Sequence, residues 1–253
     1  MDDAKLDNDR AYLGLQALAQ LVEGDHPFKP ADEDGRAFEV AWGFLAAALR
    51  QGSAVVLLHR HGLAYDSAPN RRALLEHAAR IWWLAQDGDD AVDAMNRALQ
   101  KSQKELRKAV DAAGMQYDAT IADAVQAAEL PPSSAETFNH FKHLMERMGP
   151  PMAAIWIGES QTAHPTLTSA QLFVTREDDT LTLHAEPVYP DGLPTADERA
   201  PFIALVLVWM AMLAFNELLA GGPWTDELQE IAADAGIEDM TAGVLPQAKN
   251  CSE

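Results

Sequence analysis

The chain has 253 residues, 48% of them apolar and 23% charged, enough to bury a sizeable core and too apolar for wholesale disorder. Its formal net charge of −20 favours solubility and disfavours a broad surface for nucleic acid or anionic membrane. The single cysteine, Cys251, excludes an internal disulfide, and the acidic start MDDAKLDNDR does not read as a signal peptide, so a reducing cytoplasm is the expected compartment.

Alanine and leucine dominate and β-branched residues are sparse, which makes helix the default expectation. Residues 4–22 form a first amphipathic helix with Leu13, Leu15, Leu18 and Leu21 on its apolar side. A long helix over 36–61 follows from the recurrence of Phe38, Trp42, Leu45, Leu49, Gly52 and Val56, with Gly52-Ser53 marking a close contact or a bend. His59-Arg60-His61 gives that helix a cationic end.

The helix over 69–84, PNRRALLEHAARIWWL, is capped by Asp66 or Ser67 and opened by Pro69. After an acidic break at 87–90, a helix over 89–113 carries Val92, Met95, Leu99, Leu106 and Val110 on one side. Its other side is basic: Arg97, Lys101, Lys104, Arg107 and Lys108. A short helix at 119–128 precedes Pro131-Pro132, and Ser133 with Glu136 forms a capping box for a helix ending at Gly149. Another short helix covers 152–159. Over 170–184, Leu172, Val174, Leu181 and Leu183 alternate with polar residues, the pattern of a β-hairpin.

One segment, 201–220, invites comparison with a membrane span. Its unbroken apolar run is 202–215, and Asn216-Glu217 ends it, so it is too short for a bilayer and reads as a core helix over 197–219. Thr195 and Glu198 cap that helix and Gly221-Gly222-Pro223 stop it. A last amphipathic helix covers 226–235.

On a helical wheel, Leu74, Leu75, Ala78, Ala79, Ile81 and Trp82 fill well over half of the circumference of the 69–84 helix. Arg72, Glu76 and Arg80 form one narrow stripe, with Trp83 in nearly the same direction and His77 well to the side. A helix so apolar is largely enclosed, so the stripe is semi-buried, and Glu76 between two arginines stays ionised as part of an ion-paired clamp. Downstream, Ser160 and His164 stand four apart and share a face if their helix continues, where they could meet the stripe. No glycine-rich elbow surrounds Ser160, which separates the pair from a nucleophile and base.

The R-x-x-x-E of Arg72 and Glu76, the following Trp82-Trp83 and the S-x-x-x-H-P of Ser160, His164 and Pro165 resemble a family of uncharacterised bacterial helical proteins over residues 38–215. The resemblance implies a helical fold with a shared polar centre and, by association, a place in bacterial stress response or phage defence. It supplies no substrate. Arg72 and His77, as R-x4-H, also resemble the signature of HEPN-type ribonucleases, helical dimers that cleave RNA without metal. There the arginine and histidine would stabilise and protonate the phosphodiester being cut. Ala73 departs from the polar residue usual after that arginine, and the helix comes early in the chain rather than late.

Glu136, His140 and His143 fall at i, i+4 and i+7 with Arg147 beyond, a spacing that could offer metal ligands. Phe138, Phe141, Met145 and Met148 own the apolar face, so the histidines sit on a rim and no metal or cofactor is expected.

Together these features predict an all-α bundle of about seven or eight helices with a small hairpin near 170–186. Residues 1–245 form a single helical domain and 246–253 a flexible tail, with the 36–61, 69–84 and 197–219 helices at the centre. The expected function is a cytosolic interaction or sensing module with its polar centre at Arg72, Glu76, Arg80, Ser160 and His164, and a protein partner or homo-oligomer. The alternative is the ribonuclease using Arg72 and His77. Nucleic acid has only the basic face of Arg97 to Lys108, and no membrane partner is expected.

Overall fold

A computed structural model describes residues 3–23, 28–116, 120–178, 180–189, 195 and 197–237; the tail of 246–253 expected from the sequence lies outside them. The chain is an all-α bundle with one small β-hairpin. Among the described residues there are ten α-helices, three of them of eight residues or fewer.

The centre forms where the sequence is most apolar. Helix α1 spans Asp3–Val22, α2 Ala37–Arg60, α3 Ala68–Asp87 and α9 Ala200–Asn216, and α2, α3 and α9 pack on one another. Helix α9 buries nearly its whole circumference, including Leu205, Val208, Trp209, Met212 and Phe215, because α1 and α10 (Thr225–Ala235) also lie against it. The contact marked by Gly52 is real: a Cβ there would sit 2.9 Å from Val208 Cγ2, so α2 and α9 approach closely through the missing side chain. An aromatic group of Phe28, Phe38, Trp42, Phe215 and Trp224, with neighbouring centroids 5.2–5.8 Å apart, closes one end of this seam.

Among the described residues, the helix with enough length and apolarity to cross a membrane is α2, not the 201–220 segment; α9 has 17 residues. In the fold α2 buries Ala37, Ala41, Leu45, Ala48, Gly52 and Val55 and serves as a core helix.

Two start signals are corrected. Residues Tyr65–Ser67 form a 3₁₀ turn running straight into α3, and no side chain caps the helix. Ser67 instead donates its hydroxyl proton back to the Ala64 carbonyl at 2.6 Å. The helix expected to end at Gly149 is broken in two: a 3₁₀ turn, Ser134–Asn139, and α6, Phe141–Met148. His140 between them is extended (ψ 112°), and the Ser133 hydroxyl accepts from the Ala135 amide, so no box with Glu136 forms. The Thr195–Glu198 box does form, with Thr195 Oγ1 accepting from the Glu198 amide at 3.1 Å and Glu198 Oε2 from the Thr195 amide at 2.7 Å, just before α9 begins.

Helix α4 (Asp89–Ala112) starts after Gly88, whose φ of 56° makes the turn. Arg36 at the foot of α2 pins that start, pairing with Asp89 at 3.0 Å and Asp93 at 2.8 Å. α4 then runs out beyond the core with α5 (Thr120–Ala127) beside it. α7 (Pro150–Ala163) lies across α3 and leads through α8 (Leu167–Gln171) into the hairpin of β1 (Val174–Glu177) and β2 (Thr180–Leu183). Val174 stands opposite Leu183 and Arg176 opposite Leu181.

Candidate functional site: two arginine clamps on one helix

Arg71 lies outside the stripe expected from the sequence and is the most enclosed charge of α3. It follows the i, i+3, i+4, i+7 row of Leu74, Leu75 and Ala78 and so points into the core, where it is fully buried. Its Nε meets both oxygens of Glu159 on α7, at 3.2 and 3.1 Å. Nη1 donates to the Ala64 carbonyl at 3.0 Å and the Ser67 hydroxyl at 2.9 Å. Nη2 pairs with Asp197 Oδ1 at 2.9 Å, and the other Asp197 oxygen accepts from the Tyr189 hydroxyl. One planar cation thus ties the turn before α3, the body of α7 and the segment entering α9. Burial pushes the carboxyls of Glu159 and Asp197 above their ordinary values, and the Arg71 charge opposes that push. The signal available in the sequence was an arginine inside an apolar stripe, since a buried charge demands a partner.

The expected stripe lies one step around the helix, at the rim. Arg72 Nε donates to Glu76 at 3.0 Å and Nη2 pairs with the same oxygen at 2.9 Å. Arg72 Nη1 donates to the Ser160 hydroxyl, and its guanidinium lies 4.8 Å from the Trp156 ring centre. Trp156 Nε1 donates to Glu76 at 3.1 Å, and Ser160 donates to the Trp156 carbonyl at 2.5 Å. Arg72, Glu76 and Ser160 therefore meet as the spacing allowed, with Trp156 completing the set. A serine that donates to a carbonyl and accepts from a guanidinium is held, not activated, because no base takes its proton.

Arg80 leaves this group. It donates to the carbonyls of Phe138 at 3.4 Å and Asn139 at 3.1 Å, and it lies over Phe141 and Trp83 at 4.5 and 5.1 Å. Burial pulls its guanidinium down to about 10, against the charge of Glu76, so it stays cationic at neutral pH. Trp83 is fully buried and donates to Asp87 at 2.9 Å.

His164 does not join the cluster. Helix α7 stops at Ala163, and His164 is exposed and extended (ψ 156°). Its carbonyl accepts from the Thr166 amide at 2.8 Å and the Ser169 hydroxyl at 3.0 Å. His77 is half-buried against Phe44 of α2, with ring centres 5.8 Å apart, and burial lowers its proton affinity. Arg72 is turned to α7 and His77 to α2.

The extended backbone at His140 breaks the spacing of Glu136, His140 and His143. Glu136 pairs with Arg97 at 3.2 Å, while the two histidine rings meet edge to face at 6.1 Å. Arg147 pairs with Asp87 at 2.6 Å. Among the described residues no group of three His, Cys, Asp or Glu could hold a metal ion. The basic face of α4 is partly neutralised: Arg97 also donates to the carbonyls of Pro131 and Leu130, Arg107 pairs with Asp123 and Lys108 with Glu105.

Beyond the clamps the surface changes character. Of the thirteen large apolar residues exposed among the described residues, seven fall between 155 and 188: Ile155, Ile157, Leu167, Val174, Leu181, Leu183 and Val188. Six of them ride on the α7–α8–hairpin unit that Arg71 and Arg72 hold to α3, and Val188 follows it, its amide hydrogen-bonded to the Leu172 carbonyl.

No curated protein and no solved structure matches the chain. A family model matches residues 38–181, more than half of the sequence and inclusive of Arg71, Arg72, Glu76, Glu159 and Ser160. On that span the chain belongs to DUF5677, a family of unknown function.

Proposed function

We propose that this protein is an interaction module of the cytosol, in which two arginine clamps on α3 present the α7–α8–hairpin unit to a protein partner. The observation that carries this reading is that seven of the thirteen exposed large apolar side chains fall between 155 and 188, three of them, Val174, Leu181 and Leu183, on one face of the hairpin, since grouped apolar exposure marks interaction surfaces. The clamps fit the same reading. The donors and acceptors of Arg72, Glu76, Trp156 and Ser160 are engaged with one another, which suits a brace rather than a reaction centre.

A photo-crosslinking residue at Leu183, compared with one at the exposed Lys101 of α4, tests the proposal in the native cell. Discrete adducts at 183 and not at 101 are expected; equal labelling at both positions would remove its support. The ribonuclease alternative needs Arg72 and His77 on one phosphodiester, and their engagement with different neighbours gives it less support. RNA cleavage by the purified chain, abolished in both Arg72→Ala and His77→Ala, would restore it.

A further inference from the structure

The interaction reading leaves the partner open, and the hairpin narrows it. The His184 amide donates to the Phe173 carbonyl at 2.9 Å, which makes 173 and 184 a hydrogen-bonded pair. By alternation along the ladder 175/182 and 177/180 are hydrogen-bonded pairs too. The backbone groups of Leu181 and Leu183 therefore point away from β1, and among the described residues no other strand or loop pairs with them. β2 reads Thr-Leu-Thr-Leu and is exposed along its whole length. It carries no charge and no proline, the devices that normally guard an edge strand, whereas β1 carries Arg176 and Glu177.

The two faces of the hairpin differ as well. Phe173 lies against Tyr65 at 5.4 Å, and Thr175 is hydrogen-bonded to His184 at 2.8 Å, so that face turns to the body. Val174, Leu181 and Leu183, 39, 52 and 73% exposed, share the other face with Arg176, which stands opposite Leu181.

We infer that the partner is a second copy of this chain, joined β2 to β2 in antiparallel fashion about a two-fold axis at Thr182. This inference rests on the interaction reading. With that axis Leu181 stands opposite Leu183 of the partner subunit, both with free backbone groups facing across the seam. About four N–H···O bonds form between these leucines and their symmetry mates. The four leucines then make one apolar strip in the middle of a continuous sheet, flanked on each side by Val174 and Arg176. Moving the axis to Leu181 would set Leu183 against the acidic turn after β1, so Thr182 is the register that matches leucine to leucine.

The net charge of −20 repels two copies over long range. The seam itself is uncharged, and salt shortens the reach of the repulsion to about 8 Å at physiological ionic strength. Association of two copies is therefore expected to strengthen as salt rises, the opposite of binding to a basic partner.

The test uses the full chain in a Cys251→Ser background. Thr182→Cys, on the axis, is expected to oxidise to a covalent dimer, and Thr180→Cys, off the axis, is not. Sedimentation of the wild type is expected to show a dimer tightening with salt. Leu181→Lys with Leu183→Lys, both on exposed sites, should weaken it by about a hundredfold or more with unchanged helix content. A wild type that stays monomeric at all salt concentrations, or equal cross-linking at 180 and 182, overturns the second copy. Adducts at Leu183 of a mass other than twice the chain would overturn it while leaving the interaction reading intact; no adduct of any mass overturns both.

Discussion

Helix α9 and the stretch from 155 to 188 are both rich in large apolar residues, yet they end on opposite sides of the surface. In α9, twelve of 17 residues are buried, since α1, α2, α3 and α10 surround it. The α7–α8–hairpin unit meets the body at α3, at α6 and, through Phe173, at Tyr65, and seven large apolar side chains between 155 and 188 stay in water. Apolarity alone does not place a segment; the number of neighbours that can reach it does. The two regions are joined by Arg71, whose carboxylate partners come one from each side.

The largest effects are expected in the core. Phe215→Ala removes a fully buried ring and is expected to cost about 3–5 kcal/mol in urea unfolding. Arg71→Met strands two buried carboxylates and is expected to cost a similar ~3–5 kcal/mol, while adding Glu159→Gln and Asp197→Asn should restore most of the loss. No recovery in the triple variant would mean that Arg71 acts through packing alone.

At the rim the effects shrink. Arg72→Ala should cost about 1 kcal/mol, because its pair with Glu76 is partly solvated; a loss as large as that of Arg71 would erase the distinction between the clamps. The carboxyls of Glu159 and Asp197 are raised in the folded chain, so the folded state holds more protons than the unfolded one between the unfolded and folded pKa values. The stability they contribute is full below the unfolded value and is lost as pH rises through the folded one. Unfolding measured from acid to neutral pH should show that decline, and Glu159→Gln with Asp197→Asn should flatten it. Smallest of all, Leu183→Thr on the exposed face should change monomer stability by no more than about 0.5 kcal/mol.

Much of this architecture was legible in the sequence. The periodicities around Phe38 to Val56 and Leu74 to Trp82, and the apolar run ending at Asn216, identify the three central helices, and alternation at Leu181 and Leu183 gives the hairpin. Gly52 announced the close contact that Val208 makes. Local rules failed where tertiary partners decided the outcome. Ser67 looked like a cap and instead serves Arg71, and Glu136 looked like half of a capping box and instead meets Arg97. The Arg72–Glu76 pair follows from their i, i+4 spacing, but Ser160 stands 88 residues from Arg72 and spacing alone does not bring it there. The burial of Arg71 depends on Asp197, 126 residues away, a distance over which spacing carries no information.

The central place of α9 separates two boundaries that are easily taken for one. Similarity to the family ends at residue 181, before α9 begins at Ala200. A fragment cut there keeps the residues by which the chain is recognised. It forfeits the ring against which Phe38 and Trp42 rest, the Val208 contact beneath Gly52 and the second counter-charge of Arg71. The unit of kinship in this protein is therefore smaller than its unit of folding, and a truncation drawn along the family span is expected to yield a molten, aggregating chain.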